Sequence, residues 1–273
     1  MKKIGLFVLS IGIAAGIYHI MTGAHAPQGE IPHEVGSGTL ENSKLEGGQI
    51  IEHFTLDGYE TGGQKAWELK GDMAHIGNAM DVFIEKNVVL DIRKAARIMA
   101  DKVYWQHGKS RFMTNRPVKI QYENQIMEGI GAFGKANEEF LQIDQNIGMT
   151  MRGPAVLTAW GPLQIFHKEN RAVFYRDVRI TDQKGNLKAD RMDVFFNPET
   201  KRIKKVVAKG NVRIAREGNV SFSDEAVYNT ETQSVKLIGE PKIQIQESAI
   251  KNDKFFSDEV GKTAKPKEAH GAS

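Results

Sequence analysis

Apolar and polar residues alternate with a period of two through most of this chain, which restricts it to β structure. The alternation is plain in Val88–Ile92, Val118–Tyr122 and Met192–Phe196. It puts apolar side chains on one face of a strand and polar ones on the other, as in a half-buried antiparallel sheet. Beyond the amino-terminal apolar run, the nearest candidate for a helix is the short segment Arg93–Met99. The sequence therefore predicts an all-β fold.

The strands recur as units of about 30 residues. A small residue and an Asp precede an aromatic residue and a turn, after which the next strand carries a glycine. Clear copies contain Ala100-Asp101, Ala189-Asp190 and Ser223-Asp224. We expect the small residue and Asp to end or bend one strand, and the glycine to allow close backbone passage. Such units stack on their neighbours to bury their apolar faces, so the sequence predicts a long sheet that folds over on itself.

Composition argues against several classes of function. The 273 residues include no cysteine, which removes disulfides, thiolate nucleophiles and zinc–cysteine or iron–sulfur sites. With 37 basic and 34 acidic residues the net charge is +3, which does not suggest a dedicated nucleic-acid binder. The eight histidines lack the spacing of a helical metal site, and nothing resembles a nucleophile with its base. We therefore expect no catalytic residues, no metal and no cofactor.

One glycine-rich segment matches a nucleotide-binding pattern. Gly129–Gly134 reads G-x-G-x-x-G, but a dinucleotide site needs this motif between a strand and a helix. Alternation resumes at Phe140–Ile143, as in a strand. The context favours a glycine-rich bend in a hairpin over a cofactor site.

The amino terminus is predicted to be a membrane anchor. Lys2 and Lys3 precede an apolar run from Ile4 to Met21, which as a helix would extend roughly 27 Å against a bilayer core of ~30 Å. The lysines favour a cytoplasmic amino terminus. Ala24-His25-Ala26 also fits a signal-peptide cleavage site, although Pro27 follows directly and the apolar run is long for a signal peptide. We favour the uncleaved anchor, and both alternatives place the rest of the chain outside the cytoplasm.

Short motifs recur in a fixed order after the predicted anchor. They are Gly48-Gln49-Ile50, Trp67-Glu68-Leu69, Ala100–Trp105 and Gly129-Ile130-Gly131. The carboxyl-terminal half contains the units Leu187–Ile214 and Val220–Ile245, with distinctive segments at Ala189–Met192 and Lys209–Val212. The first set resembles the LptC family of lipopolysaccharide export proteins, and the second resembles the related LptA/OstA domain. The resemblance covers roughly residues 45–246.

The resemblance implies an open, twisted antiparallel β-jelly roll whose two sheets hold lipid acyl chains between them. Together with composition, it divides the chain into five parts. Residues 1–25 would be the anchor, 26–46 a flexible spacer, 47–158 an LptC-like part, 159–246 LptA-like repeats and 247–273 a mostly disordered tail. The two β parts could be one extended roll or two rolls end to end.

The resemblance also implies a function. The chain would be a non-enzymatic component of the envelope export bridge, single-pass in the inner membrane, with its bulk in the periplasm. It would accept lipopolysaccharide from an inner-membrane ABC transporter and pass it to an LptA-like periplasmic bridge protein joined by strand-edge addition. The alternative is a structural or scaffolding envelope protein with a closed β core that binds protein partners only.

A lipid-binding trough would be lined by alternate apolar positions of the strands. Met and aromatic side chains favour an adaptable apolar site, although they also fill ordinary cores. Basic residues of the polar face, such as Lys119, Arg179 and Arg213, would meet phosphorylated head groups or be ordinary solvated positions. The trough candidates are Trp67, Leu69, Leu90, Val103, Trp105, Phe112, Val118, Ile120, Phe133, Ile143, Phe174, Ile180, Val194, Phe196, Val212, Ile214, Leu237 and Ile243.

Overall fold

A computed structural model describes most of the chain between residues 49 and 245. The described residues are 49–59, 63–77, 81–92, 96–106, 109, 111–122, 125–135, 140–150, 155–200 and 202–245. The predicted anchor, spacer and tail lie outside them. Within these ranges the structure contains no helix that is long and apolar enough to cross a membrane.

The described residues form fifteen strands, which confirms the predicted all-β fold. Residues 96–99 of the candidate helix lie in a strand, because their alternation continues into the residues that follow. The strands are β1 (Gln49–Tyr59), β2 (Lys65–Ile76), β3 (Asp81–Ile92), β4 (Ala96–Gln106), β5 (Arg111–Tyr122), β6 (Gln125–Lys135), β7 (Phe140–Thr150), β8 (Val156–Ala159), β9 (Leu163–Phe166), β10 (Arg171–Asp182), β11 (Gly185–Phe196), β12 (Ile203–Arg216), β13 (Asn219–Asn229), β14 (Ser234–Ile238) and β15 (Lys242–Gln244).

All the strands belong to one antiparallel sheet, and their order across the sheet follows their order in the sequence. Two positions hold a broken strand: β8 and β9 both lie between β7 and β10, while β14 and β15 both pair with β13. The sheet therefore has thirteen strand positions and runs without interruption from β1 to β14. At about 4.8 Å per position it would extend roughly 60 Å.

A line of bends crosses the sheet near the middle of the long strands. Pairing shifts register there, for example between Lys70 and Met73 of β2 and between Lys188 and Arg191 of β11. Residues at the bends take left-handed backbone conformations, such as Asn87 at φ 50° and Gly210 at φ 73°. Extra residues of this kind are β-bulges, which bend a strand and increase its twist.

The repeated Asp of each unit lies against these bends. The amide of Asn87 donates a hydrogen bond to Asp72 (2.8 Å), and that of Asn211 donates one to Asp190 (2.7 Å). A β-carbon at Gly210 would lie 2.5 Å from the Asp190 carboxylate, so this position needs glycine both for its φ and for space. The predicted role of the small-residue–Asp pair as a bending device is confirmed.

The bends fold the sheet into two layers whose facing sides share a core. The largest core cluster combines residues from before and after the bend of the same strand, such as Ile143 with Ile147 in β7 and Phe174 with Ile180 in β10. A second cluster around Ile84 lies in β2–β4, and a third around Val212 lies in β11–β14. This is the geometry of a folded-over antiparallel sheet, as the predicted jelly roll requires.

Candidate functional site

The candidate site is the inner face, where the two layers of the folded sheet meet. Its centre is closely packed in this structure. Eight of the predicted trough residues belong to the central cluster. Of these, Val118, Ile120, Ile143, Phe174, Ile180 and Val194 are each no more than 5% exposed, and Phe112 and Phe196 are partly buried against them.

The inner face is less well covered towards its ends. Around Ile84, the predicted residues Leu69, Val103 and Trp105 are only partly buried. Trp67 and Leu90 are also half-buried. At the carboxyl-terminal end Val212 is buried, Ile214 and Leu237 pack against it partly buried, and Ile243 is 61% exposed. Apolar inner-face groups thus lie near solvent at both ends.

Phe133 does not lie on the inner face. Strict alternation from Met127 would turn residue 133 inward, but the bulge at Gly131 (φ 74°) reverses the parity, so that Ala132 lies inside. Phe133 packs on the outer face, where the Arg111 guanidinium lies 5.3 Å from its ring centre. Its assignment to the trough is wrong, because one extra residue in a strand exchanges the two faces.

The G-x-G-x-x-G segment that contains this bulge lies entirely inside strand β6. No helix follows it in the described residues, so the dinucleotide interpretation fails. Gly134 leaves room for the Phe112 ring, into which a β-carbon would collide. The glycines therefore serve the bend and the packing, as the sequence favoured.

Several inner-face residues escaped the sequence prediction. Leu157, Leu163 and Ile165 are at most 4% exposed, yet they lie in the two shortest central strands, β8 and β9. Four-residue strands separated by Gly161-Pro162 carry too little alternation to be recognised. Met127 and Met192, which the sequence left undecided between core and site, are buried in the same cluster. Flexible thioether chains there fill gaps and can adapt to new neighbours.

Gln125 is a polar residue on the otherwise apolar inner face of β6. Gln125 is 2% exposed, lies two residues before the inward Met127, and has no hydrogen-bond partner for either amide atom among the described residues. An unsatisfied buried amide is costly, so this group has unused hydrogen-bonding capacity for a polar atom that enters the core.

The outer face carries ion pairs. The Asp193 carboxylate is 4% exposed and accepts two hydrogen bonds from Arg191, while Arg171 lies 3.6 Å away. The neighbouring carboxylate raises the pKa of the Arg191 guanidinium further. Of the predicted head-group contacts, Lys119 pairs with Glu128, Arg179 with Asp177, and Arg213 donates to Asn186. These contacts are those of ordinary strand positions.

Two family models match the chain, one for each half. The model described as "Lipopolysaccharide-assembly, LptC-related" matches residues 16–150. The model described as "LptA/(LptD N-terminal domain) LPS transport protein" matches residues 161–260. Both describe lipopolysaccharide assembly or transport proteins rather than enzymes, in agreement with the expectation that the chain is not an enzyme.

Comparisons with individual proteins add little. No curated protein matches the chain. Among solved structures, it is similar to LptH, the LptA homologous periplasmic component of the conserved lipopolysaccharide transport device from Pseudomonas aeruginosa. The identity is 14%, with 55% of this chain and 94% of that chain covered, and the TM-score is 0.27.

The matched regions follow one another in a single sheet. The first ends with β7 and the second begins at Gly161, so that the broken strand β8–β9 joins them through ladders to β7 and β10. The chain is thus an LptC-family protein of lipopolysaccharide assembly with an LptA-like region in its carboxyl-terminal half.

Proposed function

We propose that this chain carries lipopolysaccharide along its inner face as a component of the envelope export bridge. The observation that carries the proposal is the continuity of that face through both matched regions. In strand β4, Val103 packs against the second core cluster and Ala96 belongs to the central one. Leu187 packs against both the central and the third cluster. Such an apolar surface binds acyl chains through non-directional hydrophobic contacts, which contribute about 0.8 kcal/mol to the binding free energy per buried CH₂. An acyl chain can therefore slide along the surface.

The packing of the centre sets a condition on this function. Residues such as Ile143 (0% exposed) and Ile180 (1%) leave no room for an acyl chain between the layers. Lipid therefore enters at the open ends, and the layers separate at the centre as it advances. The thioethers of Met127, Met149 and Met192 are suited to that rearrangement, because they can repack with little strain.

The proposal includes the setting of the protein. The run Ile4–Met21 would anchor the chain in the inner membrane, with the sheet in the periplasm beside the ABC transporter that supplies lipid. An LptA-like bridge protein would extend the sheet by strand addition at an edge, where unpaired backbone groups accept a new strand. Ile50 and Tyr59 of the edge strand β1 are 63% and 64% exposed.

A scaffolding role is the second candidate, and the closed centre favours it. If the layers never part, the face is only a core and the protein acts through its edges. The two functions differ in whether lipopolysaccharide reaches the central positions.

Photo-crosslinking in cells separates the two functions. A photoreactive residue at Ile120 or Ile214 faces inward, whereas the same residue at Lys119 or Arg213 occupies the adjacent outer position. The carrier predicts lipopolysaccharide adducts at the inward positions and far fewer at their outward neighbours. If a folded, membrane-associated protein gives no adducts at either inward position, the carrier function is overturned and the scaffolding role remains.

A further inference from the structure

The turn between β11 and β12 concentrates positive charge at one edge of the folded sheet. Residues 195–205 contain four basic residues and one acidic residue. The structure describes three of the four basic residues, Arg202, Lys204 and Lys205, and all three are exposed. Strand β12 begins at Ile203, so these side chains lie at the strand ends, away from the bend. The three residues form a basic tip on the sheet.

The described cross-strand neighbours of Lys205 are neutral. It pairs with Phe195 of β11 and Asn229 of β13, and its ammonium group lies 4.6 Å from the centre of the Phe195 ring. Lys209, nearer the bend of the same strand, lies instead opposite Glu225, and the two side chains are 3.6 Å apart. A ring face attracts a cation without cancelling its charge. The charge of Lys205 is therefore available to an anion.

The backbone of the basic tip is held by the adjoining strands. The pairing of β11 with β12 shifts register at Phe196, and Lys204 is the extra residue at this shift. The hydroxyl oxygen of Thr230 lies 2.7 Å from the carbonyl oxygen of Ile203 and 2.9 Å from that of Lys204. The amide of Thr230 also donates a hydrogen bond to the Lys204 carbonyl at 3.1 Å. A fixed backbone lowers the entropy that is lost when the exposed side chains bind a ligand.

The basic tip adjoins the apolar inner face. Ile203 (9% exposed) and Val206 (5% exposed) belong to the central cluster, and Phe196 packs against that cluster partly buried. Basic and inward apolar residues of β12 are one or two positions apart, which corresponds to at most about 7 Å along the strand. This edge therefore matches an amphiphile whose anionic group lies next to its hydrocarbon.

We propose that the basic tip binds phosphate groups of the lipopolysaccharide head group while the acyl chains contact the inner face. The inference rests on the carrier function proposed above and adds a site for the head group to it. Ammonium and guanidinium groups form charge-assisted hydrogen bonds with phosphate oxygens. Arg111, the first residue of β5 at the same edge, also lies over an aromatic ring, at 5.3 Å from the centre of Phe133. The edge thus offers a phosphate group more than one cation along the sheet.

Neutralising the basic tip tests this site. The full-length protein in phosphatidylcholine nanodiscs is titrated with lipopolysaccharide and with chemically dephosphorylated lipopolysaccharide, and each Kd is measured. For Arg202→Gln/Lys204→Gln/Lys205→Gln, the loss of three exposed charge contacts should weaken binding of the phosphorylated form roughly tenfold. The Kd for the dephosphorylated form should stay within about twofold of the parent, because its hydrocarbon contacts are unchanged.

The variant Lys184→Gln/Lys188→Gln/Lys242→Gln is the matched control. It removes the same net charge from exposed positions on the other side of the bends, and both forms should bind it within about twofold of the parent. Equal losses in the two triple variants, or no loss in the basic-tip variant, would overturn the inference but leave the carrier function. A parent that binds neither form would overturn the carrier function and the inference together.

Nanodiscs that contain phosphatidylglycerol separate the head group from the membrane surface, which presents the same phosphate chemistry. We expect the difference in Kd between the parent and the basic-tip variant to persist in these nanodiscs. If the difference disappears, phosphates of the membrane occupy the basic tip, and the head-group site is overturned.

Discussion

The side-chain amide of Asn211 donates a hydrogen bond to the carboxylate of Asp190 across the β11–β12 ladder, at 2.7 Å. Asn211 holds a left-handed backbone conformation (φ 48°) beside Gly210, and the two residues form the bulge that bends β12. The relationship recurs between Asn87 and Asp72 at the other end of the sheet. These contacts stabilise the line along which the sheet folds into two layers.

Asn211→Val is expected to destabilise the protein by roughly 1–3 kcal/mol, because a β-branched residue is strained at this φ. It also removes the hydrogen bond to Asp190. Asn211→Gly removes the same hydrogen bond but tolerates the backbone, so it should cost clearly less. Urea denaturation of the two variants measures the difference. Equal losses would show that the hydrogen bond, rather than the bend, carries the effect.

Leu157→Ala is expected to cost roughly 2–5 kcal/mol, because its side chain is 1% exposed in the central cluster. The neighbouring Thr158 points outward and is exposed, so Thr158→Ala should stay within about 0.5 kcal/mol of the parent. Thermal unfolding of both variants checks the comparison. Since β8 joins the two matched regions, a separate early transition in Leu157→Ala would show that the halves can unfold apart.

Arg191→Ala is expected to cost about 1–3 kcal/mol, because it leaves the buried Asp193 carboxylate without its two charge-assisted hydrogen bonds. Arg179 makes the same two-bond contact with Asp177, but its side chain is 56% exposed. Arg179→Ala should therefore cost between 0 and about 1 kcal/mol. Chemical denaturation of the two variants compares the same two-bond contact between arginine and aspartate in a buried and in a solvent-exposed setting. Similar costs would contradict the assigned role of burial.

The contribution of the Glu85 carboxylate to the free energy of unfolding is expected to depend on pH. The hydrogen bond from Lys102, which lies 2.5 Å away, holds the pKa of Glu85 below its ordinary value, and the positive charges of Lys102, His75 and Lys86 add to the effect. A depressed folded-state pKa stabilises the protein above the unfolded-state pKa, and this contribution is lost as the pH falls through the folded-state pKa.

Glu85→Gln should therefore lower the melting temperature at neutral pH, where the parent carboxylate is charged. The difference between parent and variant should shrink once the pH drops below 4.5, the ordinary pKa of the group. Thermal melts across this range provide the measurement. A difference that stays constant with pH would show that Glu85 contributes through packing alone.

The sequence by itself determined the β class, the antiparallel order and the bending units. Alternation is a local property, so Val118, Ile120 and Ile180 could be recognised as facing a common interior from their own strands. The Asp and glycine of each unit could likewise be assigned to bends, since glycine adopts a left-handed backbone without strain and permits a close approach, as at Gly210. The resemblance of the two halves to separate lipopolysaccharide transport families was also visible in short motifs.

Only the tertiary structure decided which face each residue occupies beyond a bend, and how closely the two layers meet. Phe133 changed sides because the bulge at Gly131 shifts the parity of β6, which no count along the sequence reveals. The joining strand β8–β9 is defined by its ladders to β7 and β10 rather than by its own eight residues. The buried carboxylate of Asp193 contacts Arg191 of its own strand, β11, and Arg171 of the neighbouring strand, β10. The contact with Arg171 exists only because the two strands pair. Alternation fixes the direction of a side chain within one strand, whereas its partners are fixed by contacts between residues distant in sequence.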